Sequence, residues 1–252
     1  MTEHPEVFGL HANANISFQQ QESSLILSTV LGIQPRESGA AGGRRPEEVV
    51  EELASNMLQR VPQKLSRDSA HPSVFAVNPD TGMIGSLGTC LGQEMGRFNK
   101  LLGRIRSTLV DLQKAIKGLI VMTADLDAMF TSMHNNAVPE LWVQVGYPSL
   151  KPLSAWFEDM IQRVTFFRDW VEHGRPVAYL ISAFYFPQGF LTSVLQAYSR
   201  QYTVPVDVLS FEFILQDFDN PHEEVDSPPD EVGGVYHSVH LVSGLFGLRH
   251  VL

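Results

Sequence analysis

Nine histidines stand out first among the side chains able to do chemistry, because imidazole binds metals and moves protons near neutrality. The densest group is His237, His240 and His250, in "YHSVHLVSGLFGLRHVL". In a strand, His237 and His240 point to opposite faces and cannot grip one ion without a bend, so structural or surface roles are expected for them. His11, in "FGLHANANI", reads as a partner for a backbone group or as part of a domain contact. The single cysteine, Cys90, excludes an intrachain disulfide and a cysteine-based metal cluster, which suits a reducing compartment; its simplest role is a small, half-buried side chain. Ser182, Ser193, Ser199 and Asp207 have no histidine spaced to complete a triad.

Two further stretches imitate catalytic motifs. "GLIVMTADLD" has the apolar run and acids of a nucleotide-hydrolysis motif, with Asp125 or Asp127 as magnesium ligand. No Gly-x-x-x-x-Gly-Lys-[Ser/Thr] precedes it to hold phosphate, and its residues continue a helical stripe. "SAFYFPQGFLTS", Ser182 to Ser193, is a strand-to-helix turn punctuated by Pro187 and Gly189, and it lacks the Gly-x-Ser-x-Gly of a nucleophile elbow. The expectation is a protein with no catalysis, cofactor or metal of its own.

Charge gives a second kind of candidate. Arg97, Lys100, Arg104, Arg106, Lys114 and Lys117 make one helix basic inside a sequence of net charge −10. That pattern is either a solvated face or a docking face for an acidic neighbour. The acidic stretch from Glu212 to Glu231 is one such neighbour within the same polypeptide. The overall charge argues against nucleic acid, since phosphate binding needs Lys and Arg clustered over a whole face. No stretch reaches the ~18 uncharged apolar residues of a membrane span, and the acidic, polar N-terminus has no signal-like apolar core.

The elements that must position these residues follow from periodicity. With 252 residues and 44% apolar content, the protein forms one large domain or two small ones. Residues 1–20 read as an extended, polar lead-in, and "ESSLILSTVL" as a short helix with a strand as the alternative. A Gly-rich loop then feeds a helix that starts at Pro46, carries Val49, Val50, Leu53, Met57 and Val61 on one face, and stops at Pro62. Phe98, Leu102, Ile105, Leu109, Leu112, Ile116 and Leu119 form a sustained stripe, predicting a helix from about Leu87 to Ser132 with a break at Gly103 or Gly118. Gly88, Gly92 and Gly96 share a face of it and predict the close approach of another backbone, with a flexible hinge as the alternative. "VPELWVQVGYPSLKP" is a Pro-punctuated loop, followed by an amphipathic helix through Trp156, Met160, Val164, Phe167 and Val171 that Gly174 ends. "PVAYLISAFYF" reads as a strand, "QGFLTSVLQAYSRQY" as a helix and "VPVDVLSFEFIL" as a second strand. An acidic linker over residues 216–231 and a strand-like C-terminal stretch in need of a sheet come last.

Several long runs in this order carry a resemblance: "RFNKLLGRIRSTLVDLQKAIKGLIVM", "VPELW", "YPSLKPLSAW", "FYFPQGFLTSVLQAYSR" and "VPVDVLSFEF". Over about residues 4–216 the sequence resembles the C-terminal domain of dynein heavy chains, and "YPSLKPLSAW" is similar to the axonemal branch. "HPEVFGLHANANI" and "ILSTVLGIQPR" look like the junction from the last AAA+ lid. The resemblance implies a non-catalytic structural and regulatory domain lying on the AAA+ ring of a minus-end-directed microtubule motor. ATP and magnesium would belong to that ring. Implied partners are the ring and linker, other dynein subunits and, only through the parent motor, the microtubule; the implied location is the cytoskeleton of the ciliary axoneme.

The implied fold is α+β. The lead-in of residues 1–20 joins a helical part over 21–175, and residues 176–252 form a smaller, incomplete β-barrel-like part. Trp142, Tyr147, Pro148, Trp156, Phe184, Phe186, Pro187 and Gln188 would form a packed structural corner, and the basic residues of Arg97 to Lys117 the interaction face. After "GGVYHSV" the sequence departs from the family's "GLFLEGARWD"-like strand, so either a fragment or short isoform, or a sequence that diverges near its end, is expected, with unpaired strand edges in the incomplete β part. Two readings compete: an independent helical scaffold that binds acidic partners, and a histidine-dependent metal protein.

Overall fold

A computed structural model describes residues 12–33, 45–79, 81–176, 178–216, 238–243 and 246–251. The polypeptide runs through α1 (Ala12–Ile33), α2 (Pro46–Arg60), α3 (Ser86–Ile116), α4 (Ala124–His134), the short α5 (Glu140–Val143) and α6 (Leu153–His173). Then come β1 (Ala178–Leu180), a 3-10 turn over Ile181–Ala183 and α7 (Pro187–Tyr202). A second 3-10 turn over Val206–Val208 precedes β2 (Glu212–Gln216), β3 (Ser238–Ser243) and β4 (Phe246–Val251). The Gly-rich loop ahead of α2 and most of the acidic linker lie outside the described residues. α1 begins at Ala12, inside the stretch expected to be extended.

The centre of the fold is α3, which α2, α4, α5, α6 and α7 all touch. At 31 residues and 1.5 Å per residue it is about 46 Å long. The expected stripe is its buried side: Phe98, Ile105, Leu109 and Leu112 are wholly buried and Leu102 nearly so. α2 enters through Pro46 with Glu47 and Glu48 in its first turn, and packs Val50, Ala54 and Met57 inward. α6 buries Trp156, Met160, Val164 and Phe167 at helical spacing, and Gly174, at φ 97°, ends it in a conformation that suits glycine.

The long helix stops earlier than its pattern predicts. Gly118 takes φ 72° and its N–H donates to the Ala115 carbonyl at 3.0 Å, while the Leu119 N–H donates to the Lys114 carbonyl at 2.9 Å. These two bonds form a Schellman stop, so Gly118 rather than Gly103 breaks the stripe and Leu119 is left 72% exposed. α4 then restarts at Thr123, whose hydroxyl accepts from the Leu126 N–H at 3.3 Å. Asp125 and Asp127 sit in its first turn, where they complement the helix dipole.

Among the described residues the expected β-barrel-like part is not formed, and the α+β assignment is corrected to a mostly helical fold. The strands are short and open: β1 pairs parallel with β3, β3 antiparallel with β4, and β4 antiparallel with β2, giving the order β1-β3-β4-β2. β1 and β2 are the two edges of this ladder, whereas a barrel requires its outer strands to pair with each other. The physical reason lies partly in "PVAYLISAFYF". Of its described residues only Ala178–Leu180 is strand; Ile181–Ala183 winds into a 3-10 turn, and the aromatics after it pack onto α3 and α6. "VPVDVLSFEFIL" likewise opens with a 3-10 turn and is strand only from Glu212.

Candidate functional site

The residues expected at the corner divide into a packed centre and an exposed rim. Trp142, Tyr147, Trp156 and Phe184 are all buried. Trp156 stacks on Trp142 and on Tyr147, each at 5.8 Å between ring centroids, and Phe184 stacks on Phe190 at 4.3 Å. The Trp142 Nε1–H donates to Thr108 Oγ1 at 2.9 Å, which satisfies the indole and ties α5 to α3. Tyr185 sets its ring edge-on to Phe98 at 4.8 Å. Pro148, Phe186 and Gln188 are exposed, and Pro187 opens α7, where its missing N–H costs nothing. The Arg163 guanidinium lies 3.9 Å over the Tyr147 ring while its Nε donates to Asp159 at 2.7 Å. Burial alone would raise the Asp159 pKa, but hydrogen bonds from Lys151 and Tyr147 and the Arg163 charge outweigh it and hold it low.

Sequence reasoning misses the residue that locks this corner. Glu94 is 1% exposed. One carboxylate oxygen accepts from the Tyr185 backbone N–H at 2.8 Å, and the other from Arg97 Nη1 at 2.8 Å. Burial pushes its pKa up, opposed by those hydrogen bonds and the Arg97 charge. The available signal is its position: Glu94 lies four residues before Phe98, on the buried side of α3. Cys90, one turn earlier, has its thiol pushed up to about 11 by burial, so it is not an activated nucleophile.

A groove of about 350 Å³ runs between α3 and α7 beside this lock, lined among others by Ser86, Cys90, Arg97, Phe186, Ser193 and Arg200. Gly88 and Gly92 lie on the same helix. A Cβ on Gly88 would come 2.5 Å from the Val74 carbonyl oxygen, which is the expected close backbone approach. At Gly92 the crowding comes from the Arg67 side chain instead, and Gly96 faces open space.

The six basic residues do not form one free surface. Arg97 pairs with Glu94, Arg106 Nη2 donates to the Val61 carbonyl at 3.0 Å, and Lys117 pairs with Glu51 at 3.1 Å. Lys100, Arg104 and Lys114 are exposed and make no ion pair among the described residues. Helical spacing puts these three on the outward side of α3, with Asp111 among them.

His11 and His237 lie outside the described residues. His240 and His250 are on the paired strands β3 and β4, opposite Arg249 and Val239 respectively. Among the described residues no three His, Cys, Asp or Glu side chains are grouped to hold a metal, and no helix is long and apolar enough to cross a membrane. Ser193 donates to the Gly189 carbonyl at 2.7 Å.

Comparison with known proteins adds the family evidence. The profile describing the C-terminal domain of the dynein heavy chain matches residues 20–246. The polypeptide is 46% identical over 209 residues to dynein axonemal heavy chain 6 of Homo sapiens, covering 83% of its own length and 5% of that protein. It is 42% identical over 240 residues to human dynein axonemal heavy chain 1, covering 94% and 5%. It is 43% identical over 244 residues to the dynein-1-beta heavy chain of the flagellar inner arm I1 complex of Chlamydomonas reinhardtii, covering 96% and 5%. It thus spans about one twentieth of the length of these relatives.

Proposed function

This protein belongs to the family of dynein heavy-chain domains that lie at the C-terminus, and we propose that it is a non-catalytic structural and regulatory domain of an axonemal dynein heavy chain. In this reading it packs on the AAA+ ring of the motor and works in the ciliary axoneme. ATP and magnesium are handled by the ring, and the microtubule is met only through the parent motor. Other dynein subunits join the assembly around it.

The observation that carries the reading is the outward side of α3. Lys100, Arg104 and Lys114 project from a helix about 46 Å long whose opposite side is buried along most of its length. A rigid rod bearing fixed cations suits an acidic protein face, since complementary charge sets register between partners. Arg106 and Lys117 contribute indirectly by tying that rod to the end of α2 and to Glu51, and Arg97 by pairing within α3 with Glu94. The buried aromatic corner of Trp142, Tyr147, Trp156 and Phe184 packs α5 against α6 and reaches α3 through Thr108 and α7 through Phe190.

Crosslinking mass spectrometry of this polypeptide with a dynein ring lacking its own C-terminal domain tests the reading. Lys100 and Lys114 should link to one face of the ring, and R104E, which leaves both reporter amines in place, should abolish or strongly reduce those links while the variant stays folded. A folded protein that gives no links, or links indifferent to the charge reversal, would favour an independent scaffold.

A further inference from the structure

The groove between α3 and α7 falls within the ~300–1,000 Å³ range of pockets that hold ligands. Its accessible charge has one sign. Arg97 enters from α3 and Arg200 from α7, and each engages one nitrogen: Arg97 Nη1 on Glu94 at 2.8 Å and Arg200 Nη1 on Ser86 Oγ at 3.0 Å. A guanidinium carries five N–H donors in a planar fork, so both residues retain donors for another acceptor. Glu94 is the acid of the lining, but it is 1% exposed and both its oxygens are taken, so it offers a ligand no negative group.

The rim is apolar. Met83 is 68% exposed and Phe186 52% exposed. The Phe186 ring lies so close over Gly189 that a Cβ there would collide with ring atom Cδ1. Glycine at that position is therefore what allows the ring to lie against the first turn of α7, at the rim of the groove.

We propose that this groove recognises a short segment of a partner polypeptide in which an aspartate or glutamate stands next to an aromatic or aliphatic side chain. Charge complementarity selects the carboxylate, because guanidiniums on facing helices donate to its two oxygens and would repel a cation. The rim selects the apolar neighbour, which covers Met83 and Phe186 and removes them from water. Lys100, Arg104 and Lys114 do not line the groove, so peptide recognition and ring docking stand or fall separately.

The test uses the full 252-residue protein, isotope-labelled for NMR, titrated with the peptide Gly-Ser-Asp-Phe-Glu-Leu-Ser-Gly and with its neutral counterpart Gly-Ser-Asn-Phe-Gln-Leu-Ser-Gly. The acidic peptide should shift the amides of Ser86, Cys90, Phe186 and Arg200. The neutral one should bind at least about tenfold more weakly, the loss of one charge-assisted pair. R200A should reproduce that loss, R200K should restore part of it, and G189A should weaken both peptides by displacing Phe186. Equal affinity for the two peptides, shifts confined to the outward side of α3, or no binding at millimolar peptide would each overturn the proposal. The two-peptide comparison uses the unsubstituted protein and holds even if a variant fails to fold.

Discussion

Replacing Glu94 by alanine should destabilise the protein by about 2–4 kcal/mol, and replacing it by glutamine by about 1 kcal/mol or less. The figure follows from what the carboxylate holds. Without it the Tyr185 N–H loses its acceptor at a half-buried position, a loss of about 1–3 kcal/mol. Truncating a side chain that is 1% exposed also forfeits a buried methylene, about 0.8 kcal/mol. Arg97 adds little to the sum, because at 43% side-chain exposure it turns to water. Glutamine keeps an acceptor for Tyr185 and nearly the same shape. Urea unfolding at neutral pH, followed by fluorescence of the three tryptophans, measures both variants. Alanine and glutamine variants of equal stability would refute the claim that this carboxylate closes the corner.

The sign of the pH dependence adds a second check on the same residue. Burial raises the folded-state pKa of Glu94, so the folded protein holds that proton more tightly than the unfolded one. Relative to E94Q, the wild type should be at its best below the ordinary glutamate value and lose stability as pH rises through the raised folded value. A flat difference across that window would contradict the assignment.

Asp159 should behave in the opposite sense: its depressed pKa stabilises the wild type over D159N above the ordinary aspartate value, and that advantage should vanish as pH falls through the depressed folded value in acid titrations of stability. Among the glycines of α3, G88A should destabilise by about 1–3 kcal/mol because the Val74 carbonyl blocks the new methyl, whereas G96A should stabilise by up to about 1 kcal/mol, as thermal unfolding of the pair would show. At the end of α3, G118A should cost about 1 kcal/mol, since the Schellman stop needs φ 72°, and loss of α3 protection near Lys114 in hydrogen exchange would report the same event. W142F should lower stability by about 1 kcal/mol through the lost bond to Thr108, in urea titrations.

Much of the helical framework is legible in residue order. The stripe from Phe98 to Leu112 is the buried side of α3, Pro46 and Pro187 open α2 and α7, and Gly118 and Gly174 close α3 and α6. The strand reading of "PVAYLISAFYF" holds only for Ala178–Leu180 among the described residues. Alternating apolar residues are compatible with a strand, but Phe184 and Tyr185 pack on Phe167 and Phe98, and those partners lie on helices distant in sequence. The six basic residues also look equivalent in the linear sequence, whereas the fold gives Arg97, Arg106 and Lys117 partners and leaves Lys100, Arg104 and Lys114 outward.

Residue order was sufficient for the buried stripes of α2, α3 and α6, much of their punctuation and the family, because periodicity, proline, glycine and long motifs act within a few residues or along the polypeptide in order; the start of α1, the end of α3 and the short α5 were not read from it. Folding in three dimensions was needed to make Glu94 a buried lock, to leave the ladder open, and to form a cationic groove where α3 meets α7. The reason is the distance over which partners meet: Glu94 and Tyr185 are 91 positions apart, and Arg200 and Ser86 are 114. No local pattern encodes such a pairing; it exists only once packing of the core has fixed both backbones.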